Sequence, residues 1–190
     1  MRSIIDNCAS WNYHILVSVD SDDESMHRNF DYPNTTIISG VSKNKIDAIN
    51  RDLNKYSGDW DILVNMSDDM VFTKKGFDDI IRDNCELDQC LHFPDGNRND
   101  LITMAIMGYY YYERFNYIYH PDYRSLYCDN EMTDVAKQLG CYKYIDEQIL
   151  EHRHPAYGKG VFDAQYQHTE SYSPLDKAIY EKRKANNFNL

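Results

Sequence analysis

The tightest constraint on this chain is a local pattern that occurs twice: a short apolar run that stops on acids. Ile62-Leu63-Val64 leads through Asn65-Met66-Ser67 to Asp68-Asp69, and His14-Ile15-Leu16-Val17-Ser18-Val19 leads to Asp20-Ser21-Asp22-Asp23. Apolar runs of this length, bounded by polar turn residues, are expected to be buried strands. A strand ending on carboxylates presents them at its carboxyl end, where open α/β sheets form their ligand crevice. Adjacent carboxylates repel, so they rest in water or around a cation. The competing explanations are local: Asp68 and Asp69 capping the next turn, and an Asx-type turn at Asp20.

Around these runs, strand and helix signals alternate. Residues 2–10 carry a helical pattern, and Thr35 to Gly40 is a second strand after the Pro33-Asn34 turn. Ser42-Lys43-Asn44 opens a helix over 45–56 with Ile46, Ile49 and Leu53 on one face, and Gly58 stops it. A helix over 76–84, a strand over 89–93, a tight polar loop at Pro94-Asp95-Gly96-Asn97 and a strand over 101–107 follow. Beyond a tyrosine-rich segment (109–127) the pattern predicts a helix over 132–139 closed by Gly140, a strand over 142–145 and an extended end at 149–155. The expected fold is α/β: a three-layer α/β/α arrangement with a mainly parallel, Rossmann-like central sheet. Right-handed crossovers would turn the strand carboxyl ends to one rim, uniting Asp20, Asp22, Asp23, Asp68 and Asp69. Residues 1–165 form the expected domain. Residues 166–190 form a charged tail whose helix, 174–184, is expected to lie outside the core.

Composition narrows the function. A formal net charge of −11 with no Lys/Arg block excludes a protein that tracks nucleic-acid phosphates. No apolar run approaches the roughly 20 residues of a membrane span, and the first residues are no signal peptide. Five cysteines without a CxxC pair point to reduced, structural thiols and a cytoplasmic setting. No phosphate-binding loop, GxGxxG or HExxH is present. Two further sets could carry chemistry. Asp129 and Glu131 precede a helix, where they serve either its dipole or a general base. His152 and His154 lie at i, i+2 on an extended segment, so at most one is expected to reach a shared metal.

Four stretches together resemble the nucleotide-sugar glycosyltransferases of the GT-A fold, in particular inverting family 2. Leu16 to Asp23 resembles the second strand and acidic turn that read the nucleobase. Gly40 to Asn50 resembles the loop and helix beside the nucleotide, with Lys45 and Asn50 at the basic and amide positions. Val64 to Asp69 resembles the strand carrying the DxD metal motif. Asp129-Asn130-Glu131, followed later by His152-Arg153-His154, resembles the acidic catalytic element and the late histidine ligand. The resemblance implies transfer from a nucleotide diphosphate sugar to an acceptor hydroxyl (on a glycan, lipid or small molecule), metal-assisted and inverting. Asp20, Asp22, Lys45, Asn50 and Asp68 would bind the nucleotide. Asp68, Asp69, His152 and His154 would bind Mn2+ or Mg2+, and Glu131 or Asp129 would be the base. Self-association is compatible with this reading. The alternative is a degenerate domain of the same fold that binds a nucleotide, sugar or protein partner without turnover.

The chain departs from the family pattern in two places. The residue two before Asp68 is Met66 and that before Asp69 is Ser67, so the site has fewer carboxylate ligands than a full DxD motif. The family's first strand, central in its sheet, also has no counterpart here. Three outcomes are open: the chain is a fragment, another segment or chain fills the slot, or the sheet closes over it.

Overall fold

The computed structural model describes residues 1–22 and 32–190, so Asp23 lies outside the described residues. Among the described residues eight strands form three small sheets. β1 (Ile15–Asp20) pairs in parallel with β2 (Thr35–Gly40). β3 (Ile62–Asn65), β6 (Ala105–Gly108), β5 (Cys90–His92) and β7 (Tyr142–Tyr144) form a four-stranded sheet in that order. β4 (Met70–Phe72) pairs with β8 (Leu150–His152). The mixed α/β class holds. A sheet that is mainly parallel does not, because β3–β6, β5–β6 and β4–β8 are all antiparallel. The cause is in the connections: a parallel return needs a long crossover, usually a helix, and no helix lies between β5 and β6.

The four-stranded sheet is the centre of the molecule. Residues of β5 and β6 alternate between two apolar clusters. Cys90, Ala105 and Met107 face one cluster, shared with Ile46 and Leu53 of α2 (Lys45–Lys55) and Met132 and Ala136 of α5 (Cys128–Gln138). Leu91 and Ile106 face the other, with Phe77 and Ile81 of α3 (Phe77–Asn84), Phe72 of β4 and Leu150 of β8. At the end of β6, a side chain on Gly108 would fall 2.4 Å from the Leu87 backbone, so only glycine lets α4 (Tyr109–Glu113) start there.

β1 and β3 contrast with these buried strands. They read as buried runs, yet most of their residues are only half-buried. Among the described residues each has a partner on one side alone. Their free edges border a cleft of about 700 Å3, walled by Leu16, Ile62 and Val64, with Ile4 and Cys8 contributed by α1 (Arg2–Asn7) and the turn after it.

The C-terminal residues are part of the body, contrary to the expectation of an outlying tail. α6 (Ala164–Glu170) leads to α7 (Ser173–Ala185), which packs on α5. Asp176 is fully buried and accepts hydrogen bonds from the backbone N–H groups of Arg124, Ser125 and Leu126. Arg183 donates to both carboxylate oxygens of Glu131, at 2.7 and 2.9 Å, and the Tyr123 hydroxyl donates to one of them at 2.8 Å. Glu131 and Arg183 are 5 % and 9 % exposed, so removing one leaves the other's charge buried and unpaired. Arg183→Ala is expected to lower the unfolding free energy by about 3–5 kcal/mol. Urea denaturation measures this, and a loss below about 1 kcal/mol would mean that the pair does not fasten α7 to α5.

Candidate functional site

The site begins with the β4–β8 pairing. Its register sets Met70 opposite His152, and the Arg153 N–H donates to the Asp69 carbonyl at 2.8 Å. Asp69 is thereby carried to the imidazole: His152 Nε2 lies 3.1 Å from Asp69 Oδ2. The other ring nitrogen, Nδ1, lies 3.3 Å from Oδ2 of Asp95 in the loop after β5. Asp95 is itself anchored by the N–H groups of Asn97 and Arg98 and by the Thr103 hydroxyl. The second oxygen of Asp69, Oδ1, is buried without a hydrogen-bond partner. Among the described residues no group of three or more acidic, histidine or cysteine side chains that could hold a metal ion is found.

Electrostatics follow from this sandwich. Burial acts to lower the His152 value, but hydrogen bonds and charge from Asp69 and Asp95 outweigh it and raise it from 6.5 to about 9. Burial acts to raise Asp69, and the His152 hydrogen bond outweighs it, leaving the carboxyl below the ordinary 3.8. Asp95 is lowered likewise against its burial, chiefly by His152 and by the Arg98 and Asn97 N–H groups. His154 packs its ring edge-on to His152, with centroids 5.0 Å apart, and stands beside the Tyr166 hydroxyl. Burial and the neighbouring His152 charge lower its value.

Asp129 lies in the first turn of α5, which starts at Cys128 rather than at the expected Met132. It accepts from its neighbour's N–H (Asn130) at 2.9 Å, and desolvation raises its carboxyl above the ordinary range, partly countered by Lys45 and Arg98. The charge of Lys45, at the start of α2, acts on both Asp129 and His154. Asp20 ends β1 and accepts from the Ser42 hydroxyl, just before α2. Asp22 and Asp68 are exposed turn residues.

Two expected site residues are engaged elsewhere. The Asn50 amide is buried, donating to the Tyr119 carbonyl and accepting from the Ile118 N–H, each at 2.8 Å, so it fastens a loop instead of facing a nucleotide. Glu131 turns inward to Arg183 and Tyr123, with neither oxygen left for an acceptor. Conversely, Asp95, Arg98 and Tyr166 lie beside His152 and His154, although the sequence marks them only as parts of a polar loop and of the tail, segments suited to acceptor recognition without a readable code. The Pro94-Asp95-Gly96-Asn97 loop announces a turn, and nothing in it announces a second carboxylate oxygen aimed at a histidine 57 residues away.

No helix among the described residues is long and apolar enough to cross a membrane. Comparison with protein-family models, curated proteins and solved structures finds no match.

The sandwich makes stability depend on pH in a defined direction. The raised His152 value means that its contribution is whole below about pH 6.5 and is lost as the pH rises through about 9. The lowered carboxyls of Asp69 and Asp95 contribute fully above their ordinary 3.8 and lose that contribution as the pH falls further. Unfolding free energy measured by urea titration is expected to fall between pH 7 and 9.5, and His152→Gln is expected to flatten that fall. An identical slope in the variant would show that His152 is not held charged between the two acids.

Proposed function

We propose that the chain is a nucleotide-sugar glycosyltransferase of the GT-A type, transferring a sugar from a nucleotide diphosphate donor to an acceptor hydroxyl with inversion. The observation that carries this reading is the meeting of Asp69 and His152, 83 residues apart in sequence, on the rim where Lys45 and Arg98 act on Asp129. An acid–imidazole pair beside a desolvated carboxylate among cations suits a reaction that expels a diphosphate and activates a hydroxyl.

Two candidate donors for a divalent cation meet here, Asp69 and His152, without a third acidic, histidine or cysteine donor able to complete a metal group among the described residues. Asp69 Oδ1 is a buried carboxylate oxygen without a protein partner, and a carboxylate with an imidazole is a donor set that accommodates Mn2+. Such ions, Mg2+ included, are commonly held by one or two carboxylates, with water and substrate phosphates completing the shell. Asp69 and His152 would hold the ion, with Asp68 and His154 at its margin. Bound there, Mn2+ or Mg2+ would neutralise charge on the departing diphosphate.

The remaining roles belong to side chains. Lys45, at the start of α2, offers a cation to phosphate oxygens. Asp20 and Ser42, joined by a hydrogen bond, offer an acceptor and a hydroxyl to the nucleoside, with Asp22 beside them. Asp129 takes the proton of the acceptor hydroxyl, since desolvation strengthens it as a base. Glu131 is assigned to holding α5 and α7 together, because Arg183 and Tyr123 occupy it. The acceptor hydroxyl belongs to a glycan, lipid or small molecule.

A second reading, a domain that binds a nucleotide or sugar without turnover, draws on the occupied Asn50 amide and on the small ligand set. Thermal-shift measurements with uridine and guanosine diphosphates, with and without Mn2+, followed by donor-hydrolysis and transfer assays, separate the two. Binding that needs Mn2+, and a kcat about 10²–10⁴-fold lower in Asp129→Asn with the nucleotide shift unchanged, are expected. Binding without any transfer selects the second reading. No shift with any nucleotide diphosphate plus Mn2+ would sink the glycosyltransferase reading and nucleotide binding in the second.

A further inference from the structure

We propose that the cleft between β1 and β3 is a slot for one strand of another chain, an extended apolar peptide segment that pairs with both free edges. The hydrogen-bond phase of the two strands fixes what faces the slot. The Ile15 N–H donates to the Asn34 carbonyl and the Ser21 N–H to that of Gly40, so the odd-numbered residues of β1 address β2. The N–H and C=O groups of Leu16 and Ser18 therefore point the other way, into the cleft. Likewise the Tyr109 N–H donates to the Asp61 carbonyl, which assigns Asp61, Leu63 and Asn65 to β6 and leaves the groups of Ile62 and Val64 to the cleft.

The two strands run from a common end. His14, just before β1, packs on Tyr56 just after α2, with ring centroids 5.0 Å apart. Trp60, just before β3, packs on Tyr112 at 5.3 Å, and the Tyr112 hydroxyl donates to Asn54 near the end of α2. Two rows of open peptide groups thus flank one slot. Its floor and roof are apolar: Ile49 and Leu53 of α2 on one side, Phe72 and Phe77 on the other.

These four walls specify the occupant. A hydrocarbon ligand would fill the space and leave the peptide groups unmatched, whereas an added strand supplies donors and acceptors at their own spacing. A strand covered on both faces is apolar on both. β1 has six residues and β3 four, so the slot takes about five residues, ~17 Å of strand. Asp59 and Asp61 are exposed at the mouth, so a basic residue flanking the apolar stretch complements them.

Both tryptophans of the chain, Trp11 and Trp60, line the cleft, and their fluorescence reports its occupancy. The probe is an acetylated, amidated peptide of alternating valine and isoleucine, five residues long, with a lysine at each end. Titration into wild-type protein is expected to give a saturable change at one peptide per chain. N-methylation of the second and fourth apolar residues removes the donors toward one edge and is expected to weaken binding by about tenfold or more. Ile62→Pro deletes one N–H aimed at the slot, at the first position of a strand, where proline is tolerated. It is expected to weaken the peptide by about fivefold with the circular dichroism unchanged. Should that variant fail to fold, the N-methylated peptide decides on wild-type protein alone. Asp59→Asn combined with Asp61→Asn is expected to lower affinity by about two- to fivefold at low salt, and no loss there would overturn the basic flank. No fluorescence change up to about 1 mM peptide would overturn the slot. Equal affinity for the N-methylated peptide would overturn strand pairing and leave only apolar filling of the cleft.

Discussion

The ladder between β4 and β8 is the interaction on which the rest of the site depends. Three residues on each side decide that Asp69 and His152 meet, and both strands are anchored from behind by Phe72 and Leu150 in the same apolar cluster. An antiparallel register is all or nothing in this respect, because a slip of one residue sends every side chain to the opposite face. The loop carrying Asp95 is tied to β8 through the His152 backbone, so acid, imidazole and second acid move as one unit. Charges at this spacing in partly buried surroundings act on each other far more strongly than surface pairs do.

The charge distribution also resolves an apparent contradiction between a formal charge of −11 and a proposed diphosphate site. Net charge sets the long-range field, whereas affinity for an anion is decided by donors a few ångströms away. Lys45 and Arg98 both act on the rim near Asp129. Several acids act locally: Asp176 accepts from a backbone turn, Asp52 pairs with Arg51 and Asp78 with Arg82.

What the sequence made legible was local. Asn44 caps α2 by accepting from the Asp47 N–H, and Gly140 takes a positive φ just past α5, each where the residue type demands it. The strand running to Asp20 was likewise readable, whereas β3 stops at Asn65 and Asp68-Asp69 lie in the turn before β4 rather than on a strand end. Pairing direction was not readable: the return of β6 against both β3 and β5 depends on the lack of a helix over 93–104, a stretch that reads only as loop. At the site, Asp69 and His152 were recognisable by type, whereas the inward turn of Glu131 to Arg183 was not. Two acids two positions apart on a helix face different ways, and only the seating of Arg183 on α5 tells which is buried. Asp95 was hidden for the same reason, its partner being remote.

The cleft between β1 and β3 leaves a different mark on the molecule. Along a strand, successive peptide groups point alternately to its two neighbours, so every second amide of β1 and β3 is directed away from the ladder it belongs to. One strand therefore carries two populations of amide protons, one shielded by β2 or β6 and one open to exchange with solvent. The centre of the molecule, at β5 and β6, would exchange last, and the two flanking strands would show protection in alternate residues. Stability in this fold is graded across the sheets, from a closed middle to half-open shoulders.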